Sequence, residues 1–101
     1  MSLIEKVVTK LNSVINSTAA IEVRAGAAIG LGKVGGDKAV EKLIAVLNST
    51  AAIEIRAAAA HGLGLAGGEK AIQKLLQVVD STAAIEVRAA AAAALGEAVK
   101  P

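Results

Sequence analysis

The chain has 101 residues, 54% hydrophobic and 20% charged, with 11 Lys+Arg against 9 Asp+Glu, one His, no Cys, and no Phe, Trp or Tyr. That length and apolar fraction suit one folded unit and exclude disorder, which needs low hydrophobicity and high net charge. The missing Cys excludes disulfides, thiolate metal sites and cysteine nucleophiles, and a formal charge of +2 is too small to mark a phosphate-binding surface.

Met1-Ser2-Leu3-Ile4-Glu5-Lys6 has neither the basic start nor the uninterrupted apolar stretch of an export signal. Charges break every later apolar stretch; Ala89 to Leu95 runs into Gly96 and Glu97. A spanning helix needs about 20 mostly apolar residues, so a cytoplasmic chain without a membrane segment is expected.

The phrase Ser17-Thr18-Ala19-Ala20-Ile21-Glu22-Val23-Arg24 returns as Ser49 to Arg56 and as Ser81 to Arg88. Arg24, Arg56 and Arg88 therefore recur every 32 residues, which divides one domain, 1–101, into units 5–36, 37–68 and 69–100. The last two units share 19 of 32 positions, so the repetition is structural and takes precedence over local readings.

In the first unit, Asn12 holds the position of Ile44 and Leu76. A polar residue there is expected to face the side where no earlier unit exists. Asn16-Ser17-Thr18, like Asn48-Ser49-Thr50, matches a glycosylation acceptor, but without an export signal it reads as a turn. Gly30-Leu31-Gly32-Lys33-Val34-Gly35 spells G-x-G-x-x-G. A dinucleotide site needs a strand before these glycines and a helix N-terminus after them, whereas here they close a helix. Gly26 and Gly30, four apart, fit close approach of helix backbones.

The second unit shows the hairpin most clearly. Val40, Leu43, Ile44 and Leu47 follow the i, i+3, i+4, i+7 stripe of a helix with one buried face. Ser49 or Thr50 then supplies an N-cap for the next helix, with Glu54 in its first turn where the macrodipole favours an acid. Ile53, Ala59, Ala60, Leu63 and Ala66 make the second stripe, and Gly67-Gly68 ends it. In the third unit Val99-Lys100-Pro101 replaces the Gly-Gly connector, the expected stop of the array. Lone helical hairpins cannot bury their apolar faces, so neighbouring units must share one core.

Val23-Arg24-Ala25-Gly26-Ala27-Ala28-Ile29-Gly30-Leu31-Gly32-Lys33-Val34-Gly35 resembles the second helix of HEAT-like repeats of the phycobilisome lyase type. Ile55-Arg56 through Gly67 and Val87-Arg88 through Gly96 match it as well. The resemblance covers nearly the whole chain and implies an all-α fold: a right-handed α-α superhelix, or HEAT-like solenoid, of three 32-residue helical hairpins. It also implies that the second helices line a concave binding face. Two departures stand out: Asn-Ser-Thr-Ala-Ala replaces the family's Asp/Pro-rich turn, and the second helices carry few charges.

Catalytic and metal chemistry find no foothold. His61 is the only histidine, its counterparts are Ile29 and Ala93, and one His among scattered carboxylates has no metal-site spacing. Ser17, Ser49 and Ser81 have no neighbouring base. Lys6/Lys38/Lys70 and Lys10/Lys42/Lys74 form ladders, but Glu5, Asp37, Glu41 and Glu69 alternate with them. Nucleic acid would also find no aromatic stacking partner. No enzyme, metal, cofactor, nucleic acid or membrane is expected.

Residues spaced three or four apart share one helix face. That rule collects Ala25 and Ile29, then Ala57, His61 and Leu65, then Ala89 and Ala93, into an unusually apolar surface across the second helices. The expected function is a protein-binding or assembly scaffold, with a protein partner or homo-oligomer seated on that face. The alternatives are a lyase-like accessory to a bilin or other chromophore, and a regularised repeat scaffold or fragment.

Overall fold

Six α-helices hold most of the described residues, and each unit contributes two. The computed structural model describes residues 1–100; Pro101, the last residue of the expected stop, lies outside them. In order the helices are α1 (Leu3–Ile15), α2 (Ile21–Val34), α3 (Gly36–Leu47), α4 (Ile53–Ala66), α5 (Glu69–Val79) and α6 (Ile85–Ala98). The hairpin solenoid read from the sequence is the fold observed.

The two kinds of helix differ because their surroundings differ. α1, α3 and α5 have one buried face each; in α3 this is Ala39, Val40, Leu43 and Val46. Ile44 and Leu47, expected in that stripe, are half-buried and pack against its edge. α4 sits between α2 and α6 and buries Ile55, Ala58, Ala59, Ala60, Gly62, Leu63 and Gly64. A helix covered on several sides keeps no single apolar stripe. The stripe inferred for α4 is therefore only partly right. Ala59, Ala60 and Leu63 are buried, but Ile53 is 37% exposed, and Ile55 is the fully enclosed isoleucine.

Second helices stack through backbone, not side chains. A Cβ on Gly32 would collide with the backbone of Gly62, and one on Gly62 would lie 2.7 Å from the carbonyl oxygen of Ala28. On the next junction a Cβ on Gly64 would lie 2.8 Å from the Cβ of Ala94. Gly26 and Gly30 are not the residues of close approach. A Cβ on Gly26 would meet nothing within 4 Å, and one on Gly30 only the Leu11 side chain at 3.5 Å. α1, α3 and α5 touch one another at few points, while α2–α4 and α4–α6 pack along their length. The stack is thus tight on the second-helix layer and open on the first. This geometry leaves no room for rings between second helices.

The turns depart from the expected capping. α4 starts after Ala52, which makes no side-chain cap. Ser49 instead donates from Oγ to the Val46 carbonyl at 2.6 Å and accepts from the Ala51 N–H at 3.1 Å. It satisfies the end of the preceding helix and shapes the turn. Ser17 and Ser81 do the same. Among the described residues, the one N-terminus with a side-chain cap is that of α1, where Ser2 and Glu5 form a reciprocal capping box. The bond from the Ser2 backbone N–H, then that from its side chain, with Lys38 nearby, holds the Glu5 carboxyl below its ordinary range. Gly35 (φ 72°) and Gly67 (φ 68°) end α2 and α4 in the left-handed region, as the Gly-Gly connectors require.

Two of the repeated arginines tie the last residue of a first helix to the second helix, and Arg56 binds its own turn. Arg24 Nε donates to the Ile15 carbonyl at 2.9 Å, Arg56 Nε to Ala51 at 2.9 Å and Arg88 Nε to Val79 at 3.1 Å. Backbone carbonyls thus take the place of an acidic turn residue. Arg56→Ala is expected to lower stability by about 1–3 kcal/mol, because a half-buried carbonyl loses a charged donor. Arg88 is exposed, so Arg88→Ala should cost less. Urea denaturation of the two variants checks the order.

The first unit is not capped as expected. Asn12 and Ile44 are half-buried, while Leu76 in the same position is 52% exposed. That position faces the following unit, so Asn12 lies inside the stack and does not shield its outer face. The opposite pattern holds on the other side. Ile55 and Val87 are 0% and 1% exposed, but their counterpart Val23 is 55% exposed. Each end of the array presents uncovered the surface that the interior junctions bury.

Candidate protein-interaction face

The sevenfold set proposed from helical spacing lies on α2, α4 and α6, which close packing holds side by side. The structure does not present it as one continuous exposed surface. Ala25 and Ile29 are half-buried and packed against the core. Ala57 and Leu65 are half-buried, and His61, Ala89 and Ala93 are exposed.

Three of the seven come together. Ala57 and His61 of α4 line a hollow of about 440 Å³ with Ala90, Ala93 and Glu97 of α6. The hollow exists because alanine is the only residue type its α6 wall offers between Ala89 and Ala94. Side chains that stop at Cβ leave the groove between two closely packed helices unfilled. Ala25, Ile29, Leu65 and Ala89 do not line it.

The hollow's chemistry is sparse. His61 and Glu97 are its only ionisable lining groups, and no buried polar or charged residue occurs among the described residues. Nor do three His, Asp or Glu side chains approach closely enough there to hold a metal ion. Such a surface can exclude water from an apolar segment and offer one imidazole and one carboxylate at its rim. It offers no nucleophile paired with a base. No described helix is long and apolar enough to cross a membrane.

A second hollow of about 460 Å³ opens on the other layer, between α1 and α3, where Ile4 and Val8 face Val34, Ala39 and Lys42. Helical spacing within one unit could not find it, because it arises from the loose packing between first helices. The Lys ladders run on this layer. Lys70 pairs with Glu41 at 3.7 Å, and Lys74 Nζ donates to Asn48 Oδ1 at 2.6 Å.

A protein-family model described as HEAT repeats matches residues 8–96. No curated protein matches the chain.

Proposed function

The chain belongs to the HEAT-repeat family, and from that premise we propose that it is a non-enzymatic protein-binding scaffold whose docking face is the α4–α6 surface. The observation that supports this is the apolar hollow walled by Ala57, Ala90 and Ala93. Small side chains at a helix groove let a partner helix approach closely, and a largely apolar concave surface with few polar groups at its edge favours that mode. His61 and Glu97 at the rim would set the partner's register.

The resemblance to the phycobilisome lyase type adds a chromophore-accessory reading, to which the hollow gives less. The carboxylates of a bilin would meet no Arg or Lys among its lining residues.

The test uses helical peptides selected for binding to the folded protein. Ala57→Arg with His61→Glu fills the hollow while keeping helix-compatible residues on α4. At least about a tenfold loss of affinity, equivalent to about 1.4 kcal/mol, is expected with unchanged far-UV circular dichroism. Peptides that bind the double variant as tightly as the parent would place docking elsewhere.

A further inference from the structure

The two uncovered ends are halves of a junction that the molecule already makes twice. In each interior junction, one second helix presents a small pair forward, Ala28/Gly32 or Ala60/Gly64. The next receives it on Gly62 or Ala94, with Ala58 or Ala90 one turn earlier on the same face. The forward pair at the last unit is Ala92/Gly96, and the receiving pair at the first is Gly26/Gly30. A Cβ added to Gly96 or to Gly26 would meet nothing within 4 Å. Neither glycine has a packing reason within one copy.

We infer that copies of this chain stack end to end, Ala92/Gly96 of one seated on Gly26/Gly30 of the next, continuing the solenoid across molecules. The apolar surroundings fit. Leu76 on the forward side and Val7 and Val23 on the receiving side are exposed, and the last two replace Ala39 and Ile55, which interior packing buries fully. Charge fits too. Within the chain Asn48 accepts from Lys74 across a junction at 2.6 Å. One repeat on, the acceptor is Asp80, and the matching donor on the next copy is Lys10. The intermolecular junction thereby gains an ion pair where the interior one has a neutral acceptor.

This stacking uses the ends of the array and does not rest on the α4–α6 docking face. It is heterologous: the two surfaces differ, and each added copy leaves a fresh end, so assembly is open unless the superhelix closes. Alanine at position 96 is the sharpest probe. At Gly32 and Gly64 a Cβ would collide with the neighbouring helix, whereas at Gly96 it is free until a second copy docks. Alanine at 26 is the matched control, because Ala58 and Ala90 already occupy that position in the interior junctions.

Light scattering with refractive-index detection, which needs no aromatic absorbance, measures the outcome. The parent mass should rise with concentration in multiples of 10.0 kDa. Gly96→Ala should remain at 10.0 kDa and melt no lower than the parent at a dilution where both are monomers, and Gly26→Ala should associate like the parent. Asp80→Lys should weaken association at least about tenfold, and adding Lys10→Asp should restore it. Ala57→Arg with His61→Glu should change nothing, which separates this result from the fate of the docking face. A parent that stays at 10.0 kDa up to about 1 mM, a Gly96→Ala variant that associates normally, or loss of association in the α4 double variant overturns the inference.

Discussion

Gly32→Ala is expected to lower the melting temperature of the whole array, although it adds only a methyl group to a helix. The new Cβ would collide with the backbone of Gly62, and backbone cannot rotate away as the end of a side chain can. α2 and α4 must separate along the junction, which strips contacts from Ala28 and Ala58 as well. Overpacking of this kind costs about 1–3 kcal/mol, out of about 5–15 kcal/mol for a domain of this size. Each kcal/mol lost moves the transition by about 4–8 °C. Gly26→Ala, on the same helix, has open space around its Cβ. It should gain up to about 1 kcal/mol, since alanine is the better helix former. Opposite shifts for two chemically identical substitutions cannot come from propensity, and thermal unfolding followed by circular dichroism reads both. A Gly32→Ala variant that melts with or above the parent would mean that these backbones do not meet.

The hairpins were legible because a 32-residue repeat aligns equivalent positions and the first helices carry strong amphipathic stripes. What remained hidden has a common cause. A repeat shows that Asn12, Ile44 and Leu76 are equivalent, but not whether they look forward or backward along the stack. That single unknown inverted the reading of Asn12 as a cap. The α4 stripe failed for a related reason: enclosed on several sides, α4 has apolar residues all round, so Ile53 and Ile55 look alike in sequence while only Ile55 is covered. Ser49 misled because a hydroxyl in a turn can serve the helix before it as well as the one after. For the candidate face, Ala57, His61 and Ala93, which spacing collects, line one hollow. Spacing could not show that Ile29 would be drawn onto the core, since that depends on the neighbouring hairpin.

The other large effect concerns the centre of the stack. Leu31, Leu63 and Leu95 are equivalent, and the first two are fully buried while Leu95 is half-buried. Leu63→Ala is expected to cost about 3–5 kcal/mol, the transfer of the lost atoms plus the cavity they leave. Burial alone would give Leu31→Ala the same loss, but the array adds a second consideration. In a stacked repeat, stability comes from each hairpin and from its junctions with neighbours. α4 takes part in both second-helix junctions, α2 in only one. A cavity at Leu63 therefore weakens the coupling of the first and third hairpins together, and the order of loss should be Leu63, then Leu31, then Leu95. Weakened coupling should also broaden the urea transition of Leu63→Ala, lowering its apparent m-value as the outer hairpins unfold separately. Equal losses at all three leucines, with one shared m-value, would show that the hairpins are stable individually and that the junctions contribute little.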